Sequence, residues 1–586
     1  MTETNCSAIP IRGALPWHNF LCGPSAWNED DYCDYLNGLQ SAGLNLVVFH
    51  NYTGGQERYA PYVEPMVRLR YRGVEAEATF DTSLTARWGS RPLAVEYFAF
   101  GSERLFRPPS GTRAFGADSA VCAQSPSERY EGAQRLMRRV MEMAHERGIR
   151  FAMGFEFGIH PPEFLSLVGP AAMLNSSGIL DPFSAPAIAL LRSAIDDILA
   201  AYPGVDQIWF WQHEFVHLAG PGRQEFTRER GEFEQLLASE GGGVDPHYRF
   251  GGVWTLAYLR QAYAYLKQRA PSVTMVLSGW SNDGQLPSIL GELHKRLPLD
   301  IVFSCLQPDQ GAQPNPAILA EIAATREVWG MPWLEGDAAM WHFQPRSGLV
   351  VESVRRAAAD GYQGVVALHW RTEEVKSVFQ AFAHAASNPA WTASVEEIHD
   401  EFCRAEYGSQ AGVAIAPLLA ELDRKQLLWG RISPEYLPYN PCTFGRLNDL
   451  QKSKVRDLLQ IIESQSSAPA NDSQRENLTW LANNMRFYLQ LDAVGRAMEP
   501  AFRWQERWWQ ANQNAESLLA ESGEVLASLD AAPLRDLFET FICRVRSRGE
   551  LGVLSSLNQR VWLLHKELKE FITDVLAGQM AVSTSS

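Results

Sequence analysis

The sequence lacks the marks of a membrane, nucleic-acid or disulfide-bonded protein. No apolar run approaches the roughly 20 residues that a bilayer span needs. The N-terminus, MTETNCSAIPIRGALPWHNF, has no basic stretch leading into an apolar core, so no secretory signal is expected there. A cationic surplus is missing too. The chain has 52 Lys and Arg against 68 Asp and Glu, a net charge of −16, which argues against a phosphate-backbone partner. Its eight cysteines (Cys6, Cys22, Cys33, Cys122, Cys305, Cys403, Cys442 and Cys543) form no CxxC pair, so reduced thiols and a cytoplasmic location are expected. No GxGxxG or Walker pattern follows the first apolar run, which weakens a doubly wound nucleotide fold. HxH is absent, HExxH occurs once, at His213–His217 (HEFVH), and neither a metal centre nor a cofactor is assigned.

What the chain does have is tryptophan, 18 in 586 residues, and a repeating rhythm. Short apolar runs alternate with amphipathic stretches, the pattern of βα units on a parallel sheet. Strands are expected at Ile11–Leu15, Leu44–His50, Arg150–Phe157, Gln207–Glu214, Val273–Ser278, Ile301–Cys305, Glu327–Glu335 and Gly364–Trp370. Helices are expected at Tyr130–Arg147, Ala185–Ala201, Trp254–Arg269, Val350–Asp360 and Glu373–Ala386. Eight strands with intervening helices predict an α/β fold, a (β/α)8 TIM barrel over residues 1–390.

Residues 53–127 interrupt this rhythm after the second strand. Within MVRLRYRG, Val67, Leu69 and Tyr71 alternate with Arg68, Arg70 and Arg72, a half-buried strand by its period of two. LAVEYFAF and EATF are its expected partners. The segment reads as a β-rich insertion on the C-terminal rim, where active-site loops belong. An oligomer-forming loop is the other reading, which leaves a homo-oligomer open. Strand signals end near Asn388, and residues 391–586 read as an all-α domain. Helices are expected at Val395–Tyr407, Leu447–Ser464 and Gly552–Ala577, with a capping box at Ser473–Glu476 opening another.

Chemistry in a (β/α)8 barrel sits at the C-terminal strand ends, and six of those ends are polar. The second strand ends in His50 and Asn51, and the third near Glu156. The fourth, IWFWQHEF, ends in His213 and Glu214. The fifth leads to Trp280 and Asp283. The seventh brings Glu335, Asp337, Trp341 and His342. The eighth brings His369, Trp370, Arg371, Glu373 and Glu374, the last two favouring the first turn of a helix. Carboxylates beside indoles suit glycosidic cleavage. One carboxyl protonates the leaving oxygen, a second attacks the anomeric carbon or activates water, and ring faces stack on sugars. Strand alternation puts Trp209 and Trp211 together on one face, expected to pack outward under the helices.

In layout the chain resembles (β/α)8 glycoside hydrolases with a helical C-terminal domain. It is similar to the α-glucuronidases and to barrel relatives of the β-N-acetylhexosaminidases. The resemblance implies an acid/base glutamate after strand four and a nucleophile after strand seven, positions that Glu214 and Glu335 match. It also implies substrate contacts from the other strand-end residues named above, and a glycoside or oligosaccharide as partner. Departures qualify the match. His213 stands where the retaining clan has Asn before the acid and where the hexosaminidases have Asp. The α-glucuronidases invert, and Asp337 or Asp283 could serve as their base. For Glu335 the structural alternative is a buried carboxylate bonding His342 or Arg371.

The expected function is an exo-acting glycosidase for a terminal uronic, sialic or amino sugar. Two alternatives remain. His50, His213, His342 and His369 could converge in a metal-dependent hydrolase or lyase, and a non-catalytic carbohydrate-binding protein would keep the indoles alone.

Overall fold

The computed structural model describes residues 8–18, 22–51, 66–77, 94–105, 116–158, 160–174, 179–212, 246–279, 289–337, 340–428, 446–511 and 516–578. Eight of its strands are β1 (Ile11–Pro16), β2 (Leu46–Asn51), β5 (Arg150–Glu156), β6 (Gln207–Gln212), β7 (Thr274–Gly279), β8 (Val302–Leu306), β9 (Val328–Met331) and β10 (Gly364–His369). All run parallel and close a barrel in the order β1-β10-β9-β8-β7-β6-β5-β2. Closure is made by β1 on β10, paired from Ile11 opposite Gly364 to Pro16 opposite His369. Runs such as LVVFHN and GVVALH are buried along their whole length, as expected of strands covered by side chains on one face and helices on the other. The expected strand Glu327–Glu335 is cut short. Pro332 lacks the N–H that the ladder needs, and only an isolated bridge from Trp333 to Leu368 follows it.

The helices outside the barrel are α1 (Glu29–Ser41), α2 (Pro126–Glu146), α3 (Pro162–Val168), α4 (Ala185–Ala201), α5 (Pro246–Arg269), α6 (Leu290–Arg296), α7 (Ile318–Ala323), α8 (Ser347–Ala359) and α9 (Lys376–Ser387). Their apolar faces and the outward residues of the strands form one continuous core. No helix among the described residues is long and apolar enough to cross a membrane.

The insertion is less β-rich than its pattern suggests. The alternation holds: Val67, Leu69 and Tyr71 are buried while Arg70 and Arg72 are exposed. Only a hairpin of two-residue strands results, β3 (Arg70–Tyr71) and β4 (Val74–Glu75). It lies on α4, where Asp197 accepts hydrogen bonds from the Arg70 backbone at 2.7 Å and its guanidinium at 2.9 Å. In LAVEYFAF the described residues are not a strand. They form 3-10 turns at Val95–Tyr97 and Ala99–Arg104. Phe100 packs on Phe538 and Trp562 instead, and Asn558 caps the turn by accepting from Ala99 N–H at 2.9 Å. Of EATF, only Glu77 lies within the described residues.

The C-terminal region is helical: α10 (Val395–Tyr407), α11 (Ser409–Arg424), α12 (Asp449–Ser464), α13 (Asp472–Gln510), α14 (Glu516–Asp530), α15 (Leu534–Ile542), α16 (Leu551–Leu557) and α17 (Leu564–Leu576). The 39-residue α13 organises it. Met485 and Tyr488 pack with α10 to α12. Phe487, Leu491, Val494 and Met498 join a core that includes α14 to α17 and also the interior of the barrel. The cap of α13 is Asn471, whose side chain accepts from Gln474 N–H at 2.9 Å. The expected box at Ser473 therefore lies inside the helix.

Candidate active site

Inward and outward positions alternate along each strand and determine what the barrel mouth contains. Trp209 and Trp211 belong to the interior core, and Phe210 to the wall. Gln212 also faces the wall, donating to Thr255 of α5 at 2.7 Å. The expectation that these indoles pack outward is therefore corrected. Small residues opposite them make the room, because a barrel interior must be filled at constant volume. Trp209 lies 5.7 Å from Trp329. A β-carbon on Gly364 would fall 2.4 Å from the Trp329 ring, and one on Gly154 would fall 3.3 Å from both Trp209 and His50.

One layer higher, at the C-terminal ends, lie Trp17, His50, Glu156 and Trp211. Trp17 and His50 stack with ring centroids 4.6 Å apart, and Trp211 meets them edge-on at 5.0 and 5.4 Å. Trp333 and Trp370, 5.8 Å apart, extend the aromatic floor at the ends of β9 and β10. Glu156 is the carboxylate of this layer. It is 2% exposed, and Oε1 lies 4.0 Å from His50 Nε2. That is too long for a hydrogen bond but close enough to place both groups at one spot. Burial, with His18 nearby, pushes the His50 pKa down to about 3, so its imidazole is neutral at neutral pH.

Glu335 is held differently. It is fully buried. Oε1 accepts from the backbone N–H groups of Trp370 and Arg371, each at 2.7 Å, and Oε2 accepts from Arg371 Nε at 2.7 Å. Arg371 also donates to the carbonyls of Met340 at 2.5 Å and His342 at 2.6 Å. Its fourth partner is Glu374, 3.7 Å away, which lies 3.8 Å from Arg544 of the helical region. Burial alone would lower the Arg371 pKa, but the carboxylates of Glu335 and Glu374 more than offset it and raise it. Glu374 thus belongs to this buried network rather than to a helix first turn, since α9 begins at Lys376.

Two expected sugar contacts are placed elsewhere. His369 faces the outer wall. Its Nδ1–H donates to the Arg371 carbonyl at 3.0 Å, leaving Nε2 to accept from the Tyr35 hydroxyl of α1 at 2.7 Å. Burial lowers its pKa to about 4. His342 stacks on Tyr488 of α13 at 4.0 Å and does not bond Glu335. Burial and the cations Arg544 and Arg371 hold its pKa well below the usual histidine value. His50, His342 and His369 therefore do not converge. No metal-like group of three or more His, Cys, Asp or Glu side chains occurs among the described residues.

Of the remaining expected residues, Trp341 is buried in the interior core, and its carbonyl accepts from Arg544 at 2.5 Å. Asp337 is half-buried in the loop after β9. Asn51 lies at the end of β2, its Oδ1 accepting from Met66 N–H at 3.0 Å. His213, Glu214, Trp280 and Asp283 lie outside the described residues. Sequence reasoning missed Trp17 and Trp211 as parts of the floor. Applying the strand-end rule to β1, as to the other strands, would have found Trp17.

No family model and no curated protein matches the chain. Solved structures do. One is CpGH89 from Clostridium perfringens, in complex with its substrate GlcNAc-alpha-1,4-galactose. Its TM-score is 0.50 at 10% identity, over 99% of this chain and 65% of that one. Another is a GH138 enzyme targeting pectin rhamnogalacturonan II, with a TM-score of 0.48, 10% identity, and coverage of 99% and 69%. A third is the Thermobaculum terrenum O-GlcNAc hydrolase, with a TM-score of 0.43, 14% identity, and 98% of each chain covered. The first of these likenesses is one of fold: a closed barrel with helices.

Proposed function

We propose that the protein is a glycoside hydrolase that removes a terminal sugar at the C-terminal mouth of the barrel. The observation carrying this reading is the mouth layer itself. A carboxylate, Glu156, and a neutral imidazole, His50, sit in an aromatic floor of Trp17, Trp211, Trp333 and Trp370. Indole faces bind the apolar faces of sugar rings, and a desolvated carboxylate stabilises charge developing at the anomeric carbon.

Glu214, two residues beyond the end of β6, is the proposed general acid. For the second carboxylate, the geometry favours Glu156 over Glu335. Glu156 shares its layer with the floor, whereas both Glu335 oxygens are taken up by Arg371 and backbone N–H groups. Glu335 then holds the ends of β9 and β10 in place. Solved structures of the same fold include sugar-cleaving enzymes, which supports the substrate class.

The test is a panel of 4-nitrophenyl glycosides, including N-acetylglucosaminides, glucuronides and sialosides, with metal analysis of the purified protein. Turnover of one glycoside by metal-free protein supports the reading, with Glu214→Gln slowing an unactivated alkyl glycoside of that sugar far more than its 4-nitrophenyl glycoside. Turnover that depends on a bound metal, or no turnover on any sugar, overturns it.

A further inference from the structure

The seam between barrel and helical region encloses more negative charge than positive. Five charged side chains meet there. Glu335, Arg371 and Glu374 follow the ends of β9 and β10, Arg544 lies just past α15, and Glu550 closes the turn Arg548–Glu550 that leads into α16. None is more than 2% exposed. Fully ionised, three carboxylates would face two guanidinium groups, one charge in excess. Arg346 adds a cation near Glu335, but Asp423 adds an anion to match it. A buried charge without a counter-charge is so costly that the group takes up a proton instead.

The surroundings single out which carboxylate is neutral. Both oxygens of Glu335 accept hydrogen bonds from the ends of β10, one of them from Arg371. Glu374 has two cations, Arg371 at 3.7 Å and Arg544 at 3.8 Å. Glu550 has only backbone partners among the described residues, the N–H groups of Arg546 and Ser547, both on Oε2. Its Oε1 and the Oε2 of Glu374 are buried acceptors without a donor. Arg544 is not free to supply one. It is pinned over the rings of Phe487 and Phe541 at 4.5 and 4.6 Å, and it donates to the Trp341 carbonyl.

We propose that Glu550 keeps a proton that it shares with Glu374, and that this carboxyl–carboxylate pair is a pH-sensitive latch between the barrel and the helical region. One proton then removes the excess charge and supplies the donor that both oxygens lack. The other groups around Glu550 do not compete for it. Arg548 lies 3.6 Å from Asp31 and 3.5 Å from Asp118, and Arg546 reaches outward to Asn477 and Trp480. Glu373, half-buried, faces Lys376 and Arg546. Burial raises the pKa of the Cys22 thiol and the Tyr488 hydroxyl, so both stay neutral. Burial and the charge of Glu374 push the Glu550 pKa well above the usual carboxylate value, outweighing the two N–H groups and Arg544. The unfolded carboxyl ionises near pH 4.3, so the latch contributes in full below roughly that pH and is lost as pH rises through the folded pKa. The latch is independent of what the mouth cleaves.

The test compares the full-length wild type with Glu550→Gln, whose amide keeps the shape and the donor of a protonated carboxyl and cannot ionise. Melting temperatures are measured from about pH 5 to about pH 9, and infrared spectra of both proteins at neutral pH. The variant should fold. The two melting temperatures should differ least at the acid end, and the wild type should fall below the variant as pH rises. Histidine titration affects both proteins alike and cancels in the difference. The wild-type-minus-variant spectrum should contain the C=O band of one protonated carboxyl. Failure of the variant to fold, a variant less stable than the wild type throughout, a gap that does not change with pH, or a missing carboxyl band would each overturn the proposal.

Discussion

Two buried glutamates sit at the top of the same barrel, 2% and 0% exposed, in opposite settings. Glu156 ends β5 among the rings of Trp17, His50 and Trp211. Glu335 follows β9 and is enclosed by two backbone N–H groups and a guanidinium. Burial alone does not separate them; their partners do. The oxygens of Glu335 are taken up by the ends of β9 and β10, whereas Glu156 lies among the rings of the mouth, where the proposed chemistry needs a carboxylate. The β5–β6 side of the mouth should thus carry activity, and the β9–β10 side should carry stability.

The largest effect should come from the first side. Glu214→Gln should lower turnover of unactivated glycosides by about 10²–10⁴-fold, and a substrate with a good leaving group should be spared much of that. Rates on two aglycones check it, and equal losses on both would remove Glu214 as the acid. Glu156→Gln should also reduce kcat by at least about tenfold while the unfolding free energy stays within about 1 kcal/mol of wild type.

On the second side, Arg371→Met leaves Glu335 buried without its cation and Glu374 with Arg544 alone, and should cost about 3–5 kcal/mol in urea unfolding. A cost below about 1 kcal/mol would break the comparison. Gly364→Ala drives a methyl into the Trp329 ring and should cost about 1–3 kcal/mol by the same measurement.

A separate effect, shared by both sides, is in pH dependence. His50, His160 and His369 have folded pKa values of about 3, 3 and 4, all below the unfolded value of roughly 6.5. The unfolded chain binds these protons first, so the stability these three groups allow is full above pH 6.5 and declines as pH falls towards 4. His160→Phe should make that decline shallower. An identical slope in the two proteins would mean that His160 is not neutral in the fold.

Much of this is legible in the sequence, and the exceptions have physical causes. All eight barrel strands can be read because continuous apolar runs are what a doubly covered parallel sheet demands. The same property hides which way Trp209 and Trp211 face, since a strand buried on both sides has no polar alternation to orient it. The pattern carries β9 too far because the run WGMPWLE stays apolar past Pro332, which breaks the ladder. LAVEYFAF has strand-like composition, but it packs its aromatic rings on helices rather than pairing its backbone. Arg371 reads as a sugar ligand because sequence shows the charge and not its partners. Glu550 escapes notice as one glutamate among many, marked by no motif; only its burial distinguishes it.

The long helix α13 carries one last implication. One of its faces, through Phe487, Leu491, Val494 and Met498, shares a core with the rings inside the barrel. A boundary drawn at residue 390 follows the order of the chain but cuts through that shared interior. The helical half is therefore no detachable cassette that recombination could swap or an engineer could trim. A barrel expressed alone would present a raw apolar surface to water, and its natural fate would be aggregation rather than a smaller enzyme.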